Sequence, residues 1–155
     1  MKLNSLILYH VKNLLKISND SNSPNTIRNI SKNYLLSKGF DKIGSGCESV
    51  VYSKEGFDYV IKIVYDPFTY SGNKKPLDSI HFARTRSFTT NSIIITIQEK
   101  VDKVVGFGCV ANLRKRYDKF YKFMEKKYDI SDVHEENVGL IKGRMVVFDY
   151  TTESD

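Results

Sequence analysis

The stretch that decides the fold is FDKIGSGCESVVYSKEGFDYVIKIVY, residues 40–65. Three short runs of apolar and β-branched residues lie in it: Phe40–Ile43, Ser49–Ser53 and Tyr59–Tyr65. Gly44-Ser45-Gly46 separates the first two runs as a tight turn, and Lys54–Asp58 separates the second and third. Because β-branched runs bounded by turn residues are typical of strands, the stretch predicts an antiparallel three-stranded meander.

The sequence on either side of the meander predicts further helices and strands. Apolar residues at helical spacing predict amphipathic helices over residues 3–17 and again from Ser23 or Thr26, as N-cap, to Gly39. After the meander, the patterns predict a short helix over 76–83, a hairpin of strands 84–89 and 93–98, and a long helix over 111–128. Ile141-Lys142-Gly143-Arg144 predicts the turn of a last hairpin. The fold class is therefore α+β.

The composition limits the size and class of the protein but does not indicate one function. With 155 residues and 41% hydrophobic content, the chain suits one domain with a real core. The net charge of +6 permits nucleic acid, phosphates or acidic partners but favours none of them. Cys47 and Cys109 have neither metal-ligand spacing nor a disulfide framework. The apolar run at the N-terminus is too short for a signal peptide or a membrane span, so we expect a cytoplasmic protein.

Three polar features of the sequence carry the candidate chemistry. The glycine turn lets backbone N–H groups approach a phosphate closely. Lys62 lies among apolar residues of a central strand, where a phosphate is a suitable partner, although alternation also permits a solvated position. Asp132, Asn137 and Asp149 flank the last hairpin in the order used to hold a magnesium nucleotide beside an attacking hydroxyl. About one D-x-x-x-x-N is expected by chance, so the order of all three features carries the signal.

In that order, these residues resemble the protein-kinase-like superfamily over roughly residues 40–150. Asp132-Val-His134-Glu-Glu-Asn137 is similar to the D-x-H-x-x-N motif of RIO-type and aminoglycoside-phosphotransferase-type kinases. Gly46-Cys-Glu-Ser49 resembles the G-x-E-S flap of RIO-type kinases. The resemblance implies a five-stranded antiparallel N-lobe sheet and a much reduced helical C-lobe, with two extra N-terminal helices.

The resemblance also implies ATP and Mg²⁺ as cofactors and gives each residue a role. In the flap, Gly44, Ser45 and Gly46 would cover the phosphates. Around the adenine, Ile43, Val51 and Val60 would form the roof, and backbone groups near Glu99 and Val101 would meet its edge. Lys62 would hold the α- and β-phosphates, and Asp132 would orient or deprotonate the acceptor hydroxyl. Asn137 and Asp149 would bind the metal.

The sequence departs from the typical kinase pattern in three ways. No Glu lies between Lys62 and Glu99 to pair with the lysine, so either Asp78 or Glu48 substitutes for it or Lys62 is held only by the nucleotide. Ile130-Ser131 stands in place of His-Arg, and Tyr150 replaces the glycine after Asp149. The expected organisation is a helical extension, residues 1–39, packed on a kinase-like domain, residues 40–155, that lacks the activation segment and distal C-lobe.

The expected function is an ATP-dependent phosphotransferase, a minimal serine/threonine protein kinase. The alternative is a kinase-like pseudoenzyme or nucleotide-binding module that acts through protein partners. Nucleic-acid binding through Arg84, Arg86 and the 114–127 helix face is the weaker alternative, because a solvated helix face explains those charges. We expect no membrane partner. A homo-oligomer, in which a second copy of the chain supplies the surface of the missing C-lobe, is a further possibility. If the protein is phage-encoded, the cytoplasm would be that of the host.

Overall fold

The computed structural model describes residues 3–21, 23–46, 49–65, 67, 80–106, 108–128, 130–131, 133–149 and 151–152. In these residues the chain is α+β, as the sequence predicts. It divides into two compact units. Unit 1 comprises Met1–Tyr70 and Thr85–Glu99, and unit 2 comprises Ser71–Arg84 and Lys100–Asp155.

The centre of unit 1 is a five-stranded antiparallel sheet. Its strands are β1 (Asp41–Ser45), β2 (Ser49–Ser53), β3 (Tyr59–Val64), β4 (Thr85–Thr89) and β5 (Ile94–Glu99). They are ordered β1-β2-β3-β5-β4, so β3 lies in the middle with a partner on each side. The predicted meander and second hairpin are both confirmed, and the strand bounds agree to within two residues.

The described part of unit 1 also contains two helices, α1 (Ser5–Asn19) and α2 (Pro24–Ser37). Asn4 caps α1, because its Oδ1 accepts a hydrogen bond from the Ile7 N–H at 2.9 Å. Ser23 precedes Pro24 at the start of α2. Gly39, which the sequence predicts as the stop of this helix, has a φ of +76° that favours glycine.

The helices and one face of the sheet share a single hydrophobic core. Ile7 and Leu14 from α1 and Ile27 and Leu35 from α2 are fully buried, and so is Ile61 of β3. Each such side chain stabilises the fold by about 1.5–3 kcal/mol relative to an exposed one. Since side chains alternate along a strand, the residues between these core positions face the other side of the sheet.

Two expectations in this part of the chain need correction. Gly44 and Ser45 belong to β1 rather than to a turn, and the hairpin closes where the Gly46 N–H donates to the Ser49 carbonyl at 2.9 Å. A β-bulge between Lys42 and Gly44 lengthens the strand. The short helix expected over 76–83 lies partly outside the described residues. Its described end is not helical, because Phe82 forms a bridge with Val147.

Unit 2 combines one long helix with short strands. The helix is α3 (Ala111–Lys127), and the strands are β6 (Lys103–Val104), β7 (Ile130–Ser131), β8 (Val138–Ile141), β9 (Arg144–Val147) and β10 (Thr151–Thr152). The predicted hairpin is confirmed as β8–β9, whose turn residues Lys142 and Gly143 both have positive φ. β6 extends this sheet, and β7 pairs with β10. Within the described part of the chain, no helix is long and apolar enough to cross a bilayer.

Candidate functional site

In unit 1, the candidate chemistry lies on the sheet face opposite the helices. Ile61 and Ile63 enter the core, so Lys62 between them faces the other side. Lys62 is half-buried, directly opposite Val51 on β2 and Thr96 on β5. Gly44 on β1 is in turn opposite Val51. We call Gly44, Val51, Lys62 and Thr96 the Lys62 row, since they cross four adjacent strands on one face.

The flap glycines leave space where a side chain would project. A Cβ added to Gly44 would meet only the Val51 Cβ, at 4.0 Å, and one added to Gly46 would meet the Ser49 Oγ at 3.8 Å. Both distances are ordinary contacts, and neither glycine has a positive φ. The fold itself therefore does not require glycine at these positions. A group that approaches the backbone closely, such as a phosphate, would require it.

The three residues expected to roof the adenine differ in their surroundings. Val60 is buried and lies on the same face as Lys62, two residues before it on β3. Val51 is half-buried within the Lys62 row. Ile43 is 58% exposed and lies in the bulge, where it has no cross-strand partner in the register. The structure thus brings Val51 and Val60 to the face of Lys62, while Ile43 stays at the solvent-exposed bulge.

The chain passes from unit 1 to unit 2 just after Glu99, which was expected to meet the adenine edge together with Val101. Glu99 is the last residue of β5 and is half-buried. Val101 packs in unit 2 against Ile141 and Val146. A Cβ on Gly139 would lie 2.9 Å from the Val101 Cβ and 3.0 Å from the Lys103 carbonyl, so this contact requires glycine. The Val101 side chain therefore packs in the core of unit 2. Only the backbone groups of Val101 remain as candidates to bond the edge of an adenine.

In unit 2, the two expected metal ligands come together at the open end of the β8–β9 hairpin. Asn137 ends a 3-10 turn, Glu135–Asn137, and its carbonyl accepts a hydrogen bond from the Phe148 N–H at 2.9 Å. Asp149 is the next residue after Phe148 and is half-buried. Asp132, the expected catalytic residue, lies outside the described residues, and so do Glu48 and Asp78, the candidate partners of Lys62.

The donor atoms at this end of the hairpin suit a hard cation. The Asn137 Nδ2 lies 3.2 Å from the Nε2 of His134, and the oxygen of the same amide group is a type of ligand that hard cations prefer. An amide oxygen and the Asp149 carboxylate are ligands that Mg²⁺ prefers when nucleotide phosphates complete its coordination. The described residues contain no cluster of three or more His, Cys, Asp or Glu side chains that could hold a metal by themselves.

The loop that carries Asn137 is held by α3 through contacts that the sequence did not reveal. Arg114 forms an ion pair with the carboxylate of Glu135, whose side chain is only 11% exposed. The Tyr117 hydroxyl donates to the Val133 carbonyl at 3.0 Å, inside the core. The Glu135 carbonyl accepts from the Gly106 N–H at 3.0 Å. We call the Arg114 and Tyr117 contacts the loop anchor, because they fix residues 133–137 against the helix.

The loop anchor also sets the ionisation of its members. A hydrogen bond from its own backbone N–H lowers the pKa of Glu135, and Arg114 lowers it further. Burial raises the pKa of Tyr117 to about 12, assisted by the negative charge of Glu135. Glu135 is therefore ionised and Tyr117 is a neutral hydrogen-bond donor at neutral pH. Neither residue stands out in the sequence, since partners separated by 21 and 16 residues leave no local pattern.

Comparison with known proteins gives no relative from which the roles of the site residues could be inferred. No protein-family model matches the chain, and no curated protein matches it significantly. The arrangement in unit 1 can accept an anion beside a cationic side chain. The arrangement in unit 2 can supply two oxygen ligands to a cation.

Proposed function

We propose that this protein is a protein-kinase-like phosphotransferase that binds ATP with Mg²⁺ and phosphorylates a serine or threonine hydroxyl of a protein substrate. The single observation that carries the proposal is the Lys62 row. It aligns the one lysine of β3, a half-buried apolar residue and a flap glycine on the sheet face opposite the helices. In protein kinases the phosphate-binding lysine is on the third strand, and a glycine-rich loop covers the phosphates.

The residues of unit 1 would bind and orient the nucleotide. Lys62 would hold the α- and β-phosphates through charge-assisted hydrogen bonds, which are stronger than neutral ones. Gly44 and Gly46 would let the flap backbone approach the phosphates, in the space that a Cβ would otherwise occupy. Val51 and Val60 would cover the base.

The residues of unit 2 would position the metal and the acceptor. Asn137 and Asp149 would hold Mg²⁺, which when bound neutralises phosphate charge. Asp132 would accept the proton of the attacking hydroxyl, and it directly precedes residues 133–137 in the sequence, which the loop anchor holds. Since phosphoryl transfer depends mainly on positioning and charge, a rigid loop contributes directly to the rate.

A phosphate-transfer assay with matched variants tests the proposal. Purified protein is incubated with γ-labelled ATP, Mg²⁺ and a general protein substrate, beside Asp132→Ala and Asp149→Asn. Asp41→Asn is the control, because it removes one exposed carboxylate from β1. We expect both site variants to lose at least about 100-fold in rate, because Asp132→Ala removes the positioned base and Asp149→Asn removes a charged metal ligand. The control should keep the wild-type rate.

Two other results would decide against catalysis. Nucleotide binding without transfer by the wild type would favour the binding module, in which the chain acts through protein partners. Transfer that persists in both site variants would indicate a contaminating kinase and remove the support for Asp132 and Asp149.

A further inference from the structure

A strongly charged surface lies on α3, outside the proposed nucleotide site. The helix contains seven Lys or Arg and two Asp or Glu, a net charge of +5, whereas the whole chain has +6. Four of its lysines are exposed and recur at helical spacing: Lys115, Lys119, Lys122 and Lys126. At 3.6 residues per turn they fall within about 60° of one another around the helix axis. We call these four residues the lysine stripe.

The lysine stripe points away from the core of unit 2. The buried residues of α3, which are Leu113, Tyr117 and Met124, lie on the opposite side of the helix. None of the four lysines forms an ion pair with any residue that the structure describes. Asp118, one of the two acidic residues of the helix, is paired with Arg114 at 3.2 Å. Glu125 borders the stripe on one side. The residues that the structure describes therefore compensate little of the positive charge of the stripe.

An aromatic ring borders the other side of the stripe. Phe123 is 40% exposed and lies four residues after Lys119 and three before Lys126, so both lysines are its neighbours on the helix surface. The Nζ of Lys127 lies 5.3 Å from the centre of the ring. His81 contacts the same ring, with a distance of 4.7 Å between ring centroids. Lys127 therefore lies over the ring, and a base that stacks on Phe123 would displace this flexible side chain or use the remaining exposed area of the ring.

We propose that the lysine stripe and Phe123 bind single-stranded nucleic acid, with the lysines on phosphates and the ring under a base. The stripe runs about 16 Å along the helix, from the 1.5 Å rise per residue. Aromatic stacking beside a cationic track is the usual way that proteins bind single strands without sequence preference. An acidic peptide or a lipid headgroup would also satisfy the lysines, but neither supplies the flat bases that stack on an aromatic ring. This binding surface is separate from the proposed phosphotransfer, so either activity can be present without the other.

The test measures binding of a fluorescein-labelled oligodeoxythymidylate by anisotropy across a range of salt concentrations. An oligonucleotide of about 20 nucleotides exceeds the usual single-strand site size. The stripe variant changes all four lysines to Gln, which preserves helix propensity. The matched control changes Lys12, Lys16, Lys32 and Lys42 to Gln, which are exposed on unit 1. Both variants lower the net charge from +6 to +2.

With four phosphate contacts, the logarithm of the binding constant should fall with the logarithm of the salt concentration with a slope of about −2.8. This slope corresponds to about a 50-fold loss of affinity between 50 and 200 mM salt. The control should keep this slope, and the stripe variant should lose most of it. Phe123→Leu should weaken binding roughly 5-fold or more and leave the slope unchanged, because it removes stacking and not charge.

Three outcomes would overturn the proposal. The first is an absence of salt-dependent binding by the folded wild type. The second is an equal loss in both quadruple variants, which would show an effect of net charge alone. The third is tighter binding of polyglutamate or phosphatidylserine vesicles through the same lysines with no effect of Phe123→Leu, which would assign the stripe to another class of partner.

Discussion

The two units hold their candidate residues by different means. In unit 1, Lys62 lies in the middle of a regular sheet, and backbone pairing with β2 and β5 determines which way it faces. In unit 2, Asn137 lies on a loop that side chains from α3 hold in place. The position of Lys62 therefore depends on the core beneath the whole sheet. The position of Asn137 depends on a few individual contacts.

The largest effect should follow from damage to the core beneath the Lys62 row. Ile61→Ala removes a fully buried side chain next to Lys62 and should lower the free energy of unfolding by about 2–5 kcal/mol, as measured by urea denaturation. Ile43→Ala, at the 58% exposed bulge, should change it by less than about 0.5 kcal/mol. Similar losses in the two variants would contradict the assignment of the core to one face.

A smaller loss should follow from a change in the close contact between β8 and Val101. Gly139→Ala places a Cβ against the Val101 side chain and the Lys103 backbone, and such overpacking costs about 1–3 kcal/mol. Gly44→Ala is the matched control, because its Cβ would meet only the Val51 Cβ at 4.0 Å. Thermal unfolding measures both. A control as unstable as Gly139→Ala would mean that the flap glycine is structural.

Local pattern was enough to predict most of the regular fold. The β-branched run at Tyr59–Val64 and the apolar spacing of α3 each define one element, so both are confirmed nearly to the residue. The predicted end of β1 at Ile43 was wrong. The strand continues to Ser45 because its pairing with β2, with a bulge at Ile43, extends past the first glycine. Strands of two residues, such as β6 and β7, are too short to show any period.

The candidate site could be predicted only where its residues carry a motif. The resemblance assigns Asn137 and Asp149 to the metal, and at the end of the hairpin the Asn137 carbonyl is bonded to the N–H of Phe148, the residue before Asp149. Arg114 was assigned to a solvated face, whereas it is paired with Glu135. This ion pair forms only because the loop folds back on the helix. The residues next to Arg114 and Glu135 in the sequence give no sign of that arrangement.

A modest effect should follow from loosening the loop anchor at one atom. Tyr117→Phe removes the hydrogen bond to the buried Val133 carbonyl and should cost about 1 kcal/mol. Hydrogen exchange should become faster at the amides of Asn137 and Phe148, which bond within this loop and hairpin end. Tyr121→Phe, on the exposed side of α3, should leave exchange unchanged. Unchanged exchange in both variants would mean that the helix does not hold the loop.

The smallest effect should be a pH dependence of unit 1. His10 is buried against the Tyr34 hydroxyl, and burial lowers its pKa below 6.5, with Lys54 and Lys38 lowering it further. As the pH falls through 6.5, His10 binds a proton in the unfolded state but not in the folded state. The free energy of unfolding therefore decreases as the pH falls. The urea midpoint should therefore drop between about pH 7.5 and 5.5. His10→Gln should reduce this drop, and an unchanged profile would contradict the assignment.

Calorimetric titration of Mg–ATP into the protein tests the role of the Lys62 row most directly. Lys62→Met should weaken binding roughly 10- to 150-fold, the value of a hydrogen bond to a charged group. Lys42→Met, on the exposed part of β1, should bind like the wild type. Gly44→Ala should weaken binding while it leaves thermal stability unchanged. Equal affinity of Lys62→Met and the wild type, or no binding by the folded wild type, would contradict a nucleotide site on this face.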